Sequence, residues 1–374
     1  MSGLGKCLLL AVACSAVFHT ATAAERARPA THSPALETGT IDDAPFRIDI
    51  PADWNGDLVL LAHGFEPVGV PRSSPMSPNE ATPVFLAGGY AVAQSSYASQ
   101  GWAVRDAIDD TERLRQRFVQ RYGAPRRTYL VGFSMGGGVA AASLEMHPDA
   151  HDGALSLCGV NVPGARLADE LFTTLAAFDY FFPHALGAAV GLTDPAAASS
   201  NQGEVMSAIA SALAGEPAIA ATLARYLEVP VEAVPGVVSL HYLVFQDISK
   251  RAGGLPVDNR MTRYRGFGDD AAFNAGVRRH AGNERAMQYV ATAPSLTGRP
   301  GKPLVIQYNQ DDPTVTPRFR MIHAAMTSPA SGKDQVLTLP PVGEGHCGFS
   351  SEQIGKAFRT LTDWVESGIR PDGD

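Results

Sequence analysis

The sequence predicts an α/β fold: a mostly parallel sheet with helices on both faces and a helical cap inserted between strands 6 and 7. Short continuous apolar runs, such as 57–62 and 90–93, are typical of strands buried on both faces. Stretches with helical spacing alternate with these runs. From 159 to 301 the strand signals stop, and an alanine-rich stretch with repeated prolines indicates mostly helix.

The N-terminus has the features of a secretion signal. A lysine precedes an apolar run over 7–18, which is too short to span a bilayer, and an Ala-x-Ala cleavage site ends at Ala23. We therefore expect a signal peptide over 1–23 and a secreted or periplasmic protein. Lipoprotein processing at Cys14 is the alternative, although the residues before it lack the usual leucine. No other run predicts a transmembrane segment in the mature chain.

The composition is that of an acidic globular chain. Its 374 residues are 45% hydrophobic and 18% charged, with a net charge of −8, so a sizeable core is expected and wholesale disorder is not. No basic stripe is present, and we expect no nucleic-acid partner. No phosphate loop, dinucleotide fingerprint or zinc-ligand spacing occurs, so the sequence predicts no cofactor and no metal.

The elements follow in order along the chain. Residues 24–41 are rich in Ala, Pro, Thr and Arg and predict an extended leader. Strands are predicted at 46–50, as an edge strand, and at 57–62, 90–93, 129–132, 153–158, 303–308 and 335–339. A loop over 67–83 is expected, with helices over 106–121, 139–144 and 352–366. The predicted core is therefore 42–158 and 302–374, and the cap or lid is 159–301.

Residues 129–138 (YLVGFSMGGG) carry the clearest functional pattern, a strand followed by a Gly-x-Ser-x-Gly turn and a helix. A serine on so sharp a turn has a strained backbone, and its neighbours must be nearly free of side chain. The helix that follows points its N-terminal N–H groups and positive dipole end at Ser134. We predict that Ser134 is a nucleophile; a structural glycine-rich turn is the alternative.

A serine nucleophile needs a base and a group that orients the base. His346, in the glycine-rich loop 343–348 after the last strand, is the predicted base. Asp312 follows a predicted strand within a proline-containing turn and is the predicted orienting residue. Asp311 is a rival for that role, and an Asp-Pro turn that starts a helix is the structural alternative. The other histidines are expected to have surface or capping roles, with His63 shaping its loop.

The order of these candidates, serine then aspartate then histidine, resembles that of the α/β-hydrolase superfamily. The turn at 312–317 (DPTVTP) is similar to the superfamily's Asp-x-x-Val-x-Pro turn. The resemblance runs from about 46 to 366 apart from the insertion, and it implies an α/β-hydrolase fold. At 53–56, 95–102 and 345–348 the chain looks more closely like secreted bacterial esterase-like hydrolases with a helical lid.

The segment His63-Gly64-Phe65 is similar to the oxyanion segment of the same superfamily. The resemblance implies that the backbone N–H groups of Phe65 and Met135 form an oxyanion hole. A tetrahedral oxyanion needs two fixed donors within about 3 Å. Both segments are expected at the same edge of the sheet.

Aromatic residues provide the candidates for substrate binding. Tyr97 and Trp102 follow the carboxyl end of a strand, where open α/β sheets bind ligands, and are the predicted substrate-binding residues. The aromatic group at 178–182 either lines a pocket or forms the core of the insertion.

Cys158 and Cys347 are the cysteines that remain after removal of the predicted signal. Export would place them in an oxidising compartment, and both are expected at the carboxyl edge of the sheet, so we predict a disulfide between them. Two buried free thiols are the alternative.

These features predict an exported serine hydrolase that cleaves carboxylic esters, with a small-molecule or oligomeric ester as substrate. A serine peptidase of the prolyl-oligopeptidase type shares the order of the three residues and is the nearest rival. An acyltransferase and a catalytically silent binding protein on the same fold are further alternatives.

Overall fold

A sheet of eight strands forms the centre of the molecule. The computed structural model describes residues 34–183, 185, 202–293, 296–326 and 335–372, so the predicted signal peptide lies outside the described residues. The strands are β1 (Ala35–Ile41), β2 (Ala44–Ile50), β3 (Leu58–Ala62), β4 (Ala91–Ser95), β5 (Thr128–Phe133), β6 (Gly153–Leu157), β7 (Leu304–Gln307) and β8 (Val336–Leu339). Their order is β1-β2-β4-β3-β5-β6-β7-β8. β1 and β2 run as an antiparallel pair, β2 is antiparallel to β4, and the strands from β4 to β8 are parallel.

Helices cover both faces of the sheet. The core helices are α1 (Thr82–Ala87), α2 (Val104–Tyr122), α3 (Met135–Met146), α10 (Pro317–Met326) and α11 (Ser351–Ser367). Between β6 and β7 lie α4 (Gly164–Phe181), α5 (Gln202–Ala214), α6 (Pro217–Leu227), α7 (Val234–Ala252), α8 (Asp270–Gly276) and α9 (Glu284–Thr292). Apolar side chains of α1 and α11 pack on one face, and those of α2 and α3 pack on the other. The predicted α/β class and the helical insertion between the sixth and seventh strands are confirmed.

Two local predictions need correction at the N-terminal side of the sheet. The leader predicted over 24–41 includes β1, which makes β1 rather than β2 the edge strand. Glu37 of β1 accepts hydrogen bonds from Arg117 and Tyr122 of α2, both at 2.7 Å, and these contacts fix the strand to the core. The loop predicted over 67–83 ends in α1, whose first turn contains a proline that starts the helix.

The parallel strands place the candidate residues at one edge of the sheet. Because parallel strands end on the same side, the loops after β3, β4, β5, β6, β7 and β8 meet there. These loops carry, in the same order, His63, Tyr97, Ser134, Cys158, Asp312 and His346.

Membrane-spanning potential among the described helices is limited to one pair. No single helix is long and apolar enough to cross a bilayer, whereas Gly203–Ala214 and Pro217–Leu227, bent by 118°, pass the length and composition criteria together.

Three histidines that the sequence assigns to surface or capping roles are buried instead: His151, His241 and His323. Desolvation lowers the pKa of each to about 4. The imidazole of His241 lies 3.0 Å from the hydroxyl of Thr174. Its ring is edge-on to the ring of Phe319 in α10. These side chains are therefore neutral parts of the core.

We expect the stability of the protein to fall as the pH decreases from about 6.5 to about 4. An unfolded histidine has a pKa of about 6.5, so in this window the unfolded chain binds more protons than the native one. Each of these histidines then lowers the free energy of unfolding by about 1.4 kcal/mol per pH unit. Urea unfolding at a series of pH values measures the slope. His241→Gln should reduce it, and an unchanged slope in that variant would contradict the assignment.

Candidate active site

Ser134 lies on the turn between β5 and α3, as the sequence predicts. Its backbone has φ 55° and ψ −123°, a region that residues other than glycine rarely occupy. The N–H of Ser134 donates to the carbonyl of Leu157 at 3.1 Å, and its own carbonyl accepts from the N–H of Val160 at 3.1 Å. Bonds to the last residue of β6 and to the loop after it thus hold the strained turn in place.

A chain of hydrogen bonds joins Ser134 to Asp312 through His346. His346 Nε2 is 2.8 Å from Ser134 Oγ, and His346 Nδ1 is 3.0 Å from Asp312 Oδ2. An ionised carboxylate only accepts hydrogen bonds, so Nδ1 carries the proton and donates, and Nε2 accepts from the serine hydroxyl. The structure therefore brings the three predicted residues together in an arrangement suited to a nucleophile, its base and an orienting carboxylate.

Asp312 is held by its own turn as well as by the histidine. Its side chain is fully buried, and Oδ1 accepts from the backbone N–H groups of Thr314 at 2.8 Å and Val315 at 3.0 Å. The rival Asp311 is exposed and has a positive φ of 45°. Asp312, and not Asp311, is therefore the residue that faces His346.

The segment 63–65 passes directly against the serine. A β-carbon added to Gly64 would lie only 3.1 Å from Ser134 Cβ, so glycine allows this close approach without crowding the serine. Met135 is the first residue of α3, and the first N–H groups of a helix have no partner within it. Gly64, which precedes Phe65, and Met135 are therefore both next to the serine, and the role of the Phe65 and Met135 N–H groups as oxyanion donors stays a prediction.

The prediction that Tyr97 binds substrate is wrong. Its side chain is completely buried, its hydroxyl donates to the carbonyl of His63 at 3.1 Å, and its ring stacks on the His63 ring at 4.0 Å. Burial raises the pKa of Tyr97 above its usual range and lowers that of His63. His63 is thus held as a neutral ring, and Nδ1 lies 2.8 Å from the carbonyl of Gly64. Together the two rings support the segment beside the serine.

Trp102 is half-buried at the boundary between the core and the insertion. Its backbone N–H donates to Asp247 of α7 at 2.6 Å, and it lines a narrow gap together with Tyr289 of α9. A substrate contact by Trp102 stays a prediction. In the aromatic group at 178–182, Tyr180 packs on Phe273 of α8 at 4.7 Å, which favours a role in the core of the insertion.

Cys158 and Cys347 form the predicted disulfide rather than two free thiols, with Cα atoms 5.3 Å apart. Cys158 follows β6, and Cys347 directly follows His346. The sulfur of Cys347 lies 3.6 Å from His346 Nε2. The bond therefore ties the histidine loop to the neighbouring strand end.

Asn309 is a supporting residue that the sequence analysis missed. It is fully buried after β7, its Oδ1 accepts from the N–H of Cys347 at 3.0 Å, and its Nδ2 donates to the carbonyl of Val342 at 3.1 Å. It thus bonds to the backbone at both ends of the histidine loop. The only signal in the sequence is a polar residue directly after an apolar strand, just before Asp312.

The strand order and the serine turn after β5 are those of the α/β-hydrolase fold, as the resemblance implied. No protein-family model matches the chain, and no curated protein matches it significantly.

Among solved structures, the chain is similar to E-2-(acetamidomethylene)succinate hydrolase, with 16% identity, 88% of this chain and 100% of that chain covered, and a TM-score of 0.40. It is also similar to feruloyl esterase B from Aspergillus oryzae, at 12% identity, 89% and 80% coverage and a TM-score of 0.48. A third is proline iminopeptidase from Mycobacterium smegmatis, at 13% identity, 90% and 100% coverage and a TM-score of 0.45. At this distance they assign neither a reaction nor a substrate.

Replacing both cysteines, as Cys158→Ala/Cys347→Ala, should lower the free energy of unfolding. The bond closes a loop with a sequence separation of 189 residues. The entropic model gives about 5 kcal/mol for such a loop, and typical measured values are about 2–4 kcal/mol. Denaturant unfolding checks this, with wild type in reducing agent as a second measurement. Equal midpoints for the variant and the oxidised wild type would contradict the prediction.

Asn309→Leu should loosen the histidine loop without breaking the disulfide. Loss of two hydrogen bonds from a buried side chain is expected to cost about 2 kcal/mol or more. Dithiothreitol should then reduce the Cys158–Cys347 bond faster in the folded variant than in wild type. Asn309→Asp, which keeps the acceptor for the Cys347 N–H, is the matched comparison. Unchanged reduction rates in Asn309→Leu would show that Asn309 does not hold the loop.

Proposed function

We propose that the chain is a serine hydrolase that cleaves carboxylic esters through an acyl-enzyme. The hydrogen-bond chain from Ser134 Oγ through His346 to buried Asp312 carries this proposal. It joins residues that lie far apart in the sequence and starts at a serine with a strained positive φ. Strain of this kind is found where the surrounding structure holds a residue in place for function.

The proposed reaction has two halves. Ser134 Oγ attacks the ester carbonyl carbon while His346 Nε2 takes the hydroxyl proton, and the buried carboxylate of Asp312 stabilises the imidazolium that forms. The tetrahedral oxyanion accepts hydrogen bonds from the N–H groups of Phe65 and Met135. Its collapse breaks the ester C–O bond, and the departing alcohol takes the proton from His346. Water then attacks the acyl-enzyme by the same sequence, releasing the acid and restoring Ser134.

The proposal includes export and a lid. Disulfides persist mainly in oxidising compartments, so the Cys158–Cys347 bond supports a secreted or periplasmic protein. Helices α4 to α9 begin after β6 and end before β7. In the sheet these two strands lie between β5, which Ser134 follows, and β8, which His346 follows. Part of this insertion would therefore restrict access to the serine.

Ser134→Ala should fold normally and lose hydrolysis by on the order of 10⁴-fold or more, because the nucleophile is removed. A fluorophosphonate should label wild type at Ser134, which peptide mass spectrometry detects. The substrates are p-nitrophenyl esters of graded chain length, with aminoacyl nitroanilides beside them. Labelling at a different serine, or activity retained by Ser134→Ala, would overturn the proposal; turnover of the anilides alone would favour the peptidase.

Asp312→Asn should lower kcat by about 10³–10⁴-fold while KM changes little, because the histidine loses the acceptor that fixes its proton on Nδ1. Asp311→Asn is the matched control, since Asp311 is the exposed neighbour in the same turn. Its kcat should stay within about threefold of wild type, because an exposed side chain away from the reacting atoms contributes little. Equal losses in the two variants would contradict the assignment of Asp312.

A further inference from the structure

A polar cleft lies within the insertion, separate from the residues of the candidate active site. It has a volume of about 670 Å³ and is lined by the N-terminal half of α4, the end of α6, the segment 257–267 and the first turn of α10. That volume falls within the range of small-molecule sites. The proposed hydrolase reaction uses none of the side chains that line it.

One wall of the cleft is a fixed group of charges. The carboxylate of Glu170 is nearly fully buried and accepts from Arg166 at 2.7 Å and from Arg318 at 2.6 Å. Arg318 also donates to the hydroxyl of Tyr226 at 3.0 Å and lies over the Tyr226 ring at 4.5 Å. Two guanidinium groups share one carboxylate, so this wall keeps a net positive charge beside an aromatic ring.

The segment 257–267 adds two more arginines to the lining of the cleft. Arg263 and Arg265 stand on either side of buried Tyr264 and are exposed. Neither makes an ion pair or a side-chain hydrogen bond to any residue that the structure describes. Two guanidinium groups without a carboxylate partner in one cleft leave its positive charge available to an anionic ligand.

The backbone that carries these arginines is held rigidly. The N–H of Tyr264 donates to Asn274 Oδ1 at 2.9 Å, and Asn274 Nδ2 donates back to the carbonyl of Tyr264 at 2.8 Å. Arg279 donates to the carbonyl of Thr262 at 2.7 Å, and Asp270 accepts from the N–H of Gly266 at 2.9 Å. Little backbone ordering would therefore be needed to bind a ligand here.

The net charge of the segment 260–279 is positive, whereas that of the whole chain is negative. The stretch 260–279 contains five arginines and two aspartates, in a protein of net charge −8. Three further carboxylates line the cleft and weaken its potential only in part. Asp258 is paired with Arg260 at 2.6 Å, burial raises the pKa of Asp169, and Glu228 is exposed at the end of α6.

We propose that this cleft binds a small organic anion, a carboxylate or phosphate ester attached to an aromatic or other planar group. The guanidinium groups of Arg263, Arg265 and Arg318 would hold the anionic oxygens, since the planar guanidinium matches carboxylate and phosphate geometry. The ring of Tyr226 would contact the planar group of the ligand. Its centroid lies 4.4 Å from that of the Phe267 ring. This site goes beyond the proposed hydrolysis and does not depend on it.

Isothermal titration calorimetry of the full chain with phenyl phosphate, benzoate and phenol tests the proposal. Wild type should bind phenyl phosphate, benzoate or both. It should bind phenol at least about tenfold more weakly than the anion that it prefers. Binding should weaken between about 50 and about 300 mM NaCl, because salt screens charges near the surface.

Arg263→Ala/Arg265→Ala should weaken anion binding by about tenfold or more. Arg121→Ala/Arg285→Ala removes the same charge from exposed arginines that do not line the cleft and should bind as wild type does. Thermal unfolding of both variants checks that they remain folded. Ser134→Ala should bind like wild type, which separates this site from the proposed reaction. Absence of anion binding, equal affinity for phenol, or equal losses in the two double variants would overturn the proposal.

Discussion

The candidate site depends on one backbone constraint, the sharp turn at Ser134. The strand and the helix on either side of it approach so closely that a β-carbon on Gly132 would lie 1.9 Å from the carbonyl oxygen of Gly136. Only glycine fits at that crossing. As a result α3 packs directly on β5 and β6, and the serine hydroxyl and the first N–H groups of α3 lie together at the carboxyl edge of the sheet. The backbone, more than any rotamer, sets the position of the serine.

The histidine needs separate support, because its loop has little rigidity of its own. Gly343 and Gly345 both have φ 68°, and Cys347 also has a positive φ, so the local sequence allows many conformations. Two neighbouring strand ends remove that freedom. The loop after β6 supplies Cys158 for the disulfide, and the loop after β7 supplies buried Asn309 and the carboxylate of Asp312. The same parallel edge that gathers these loops therefore also orients the imidazole.

Features with a local cause could be predicted from the sequence. Apolar runs predicted the buried strands, the Gly-x-Ser-x-Gly turn predicted Ser134, and the Pro-containing turn after a strand favoured Asp312 over its neighbour. Some features that arise from long-range contacts could not be predicted. Tyr97 follows a strand end, but its positive φ of 57° turns the ring under His63 rather than toward solvent. His241 is buried because the insertion packs against α10, a contact that no local pattern records.

Charged contacts at three places dock the insertion onto the core and limit how it can move. Buried Asp247 of α7 accepts from the N–H of Trp102, Glu170 of α4 is paired with Arg318 of α10, and Glu145 of α3 accepts from the N–H groups of the returning segment 297–299. Removing one partner of a buried ion pair leaves an uncompensated buried charge and costs about 3–5 kcal/mol. Helices α5 and α6, by contrast, pack on α4 and α7 rather than on the sheet. The insertion is therefore tied to the core through α4, α7 and the segment 297–299, whereas α5 and α6 are attached through α4 and α7.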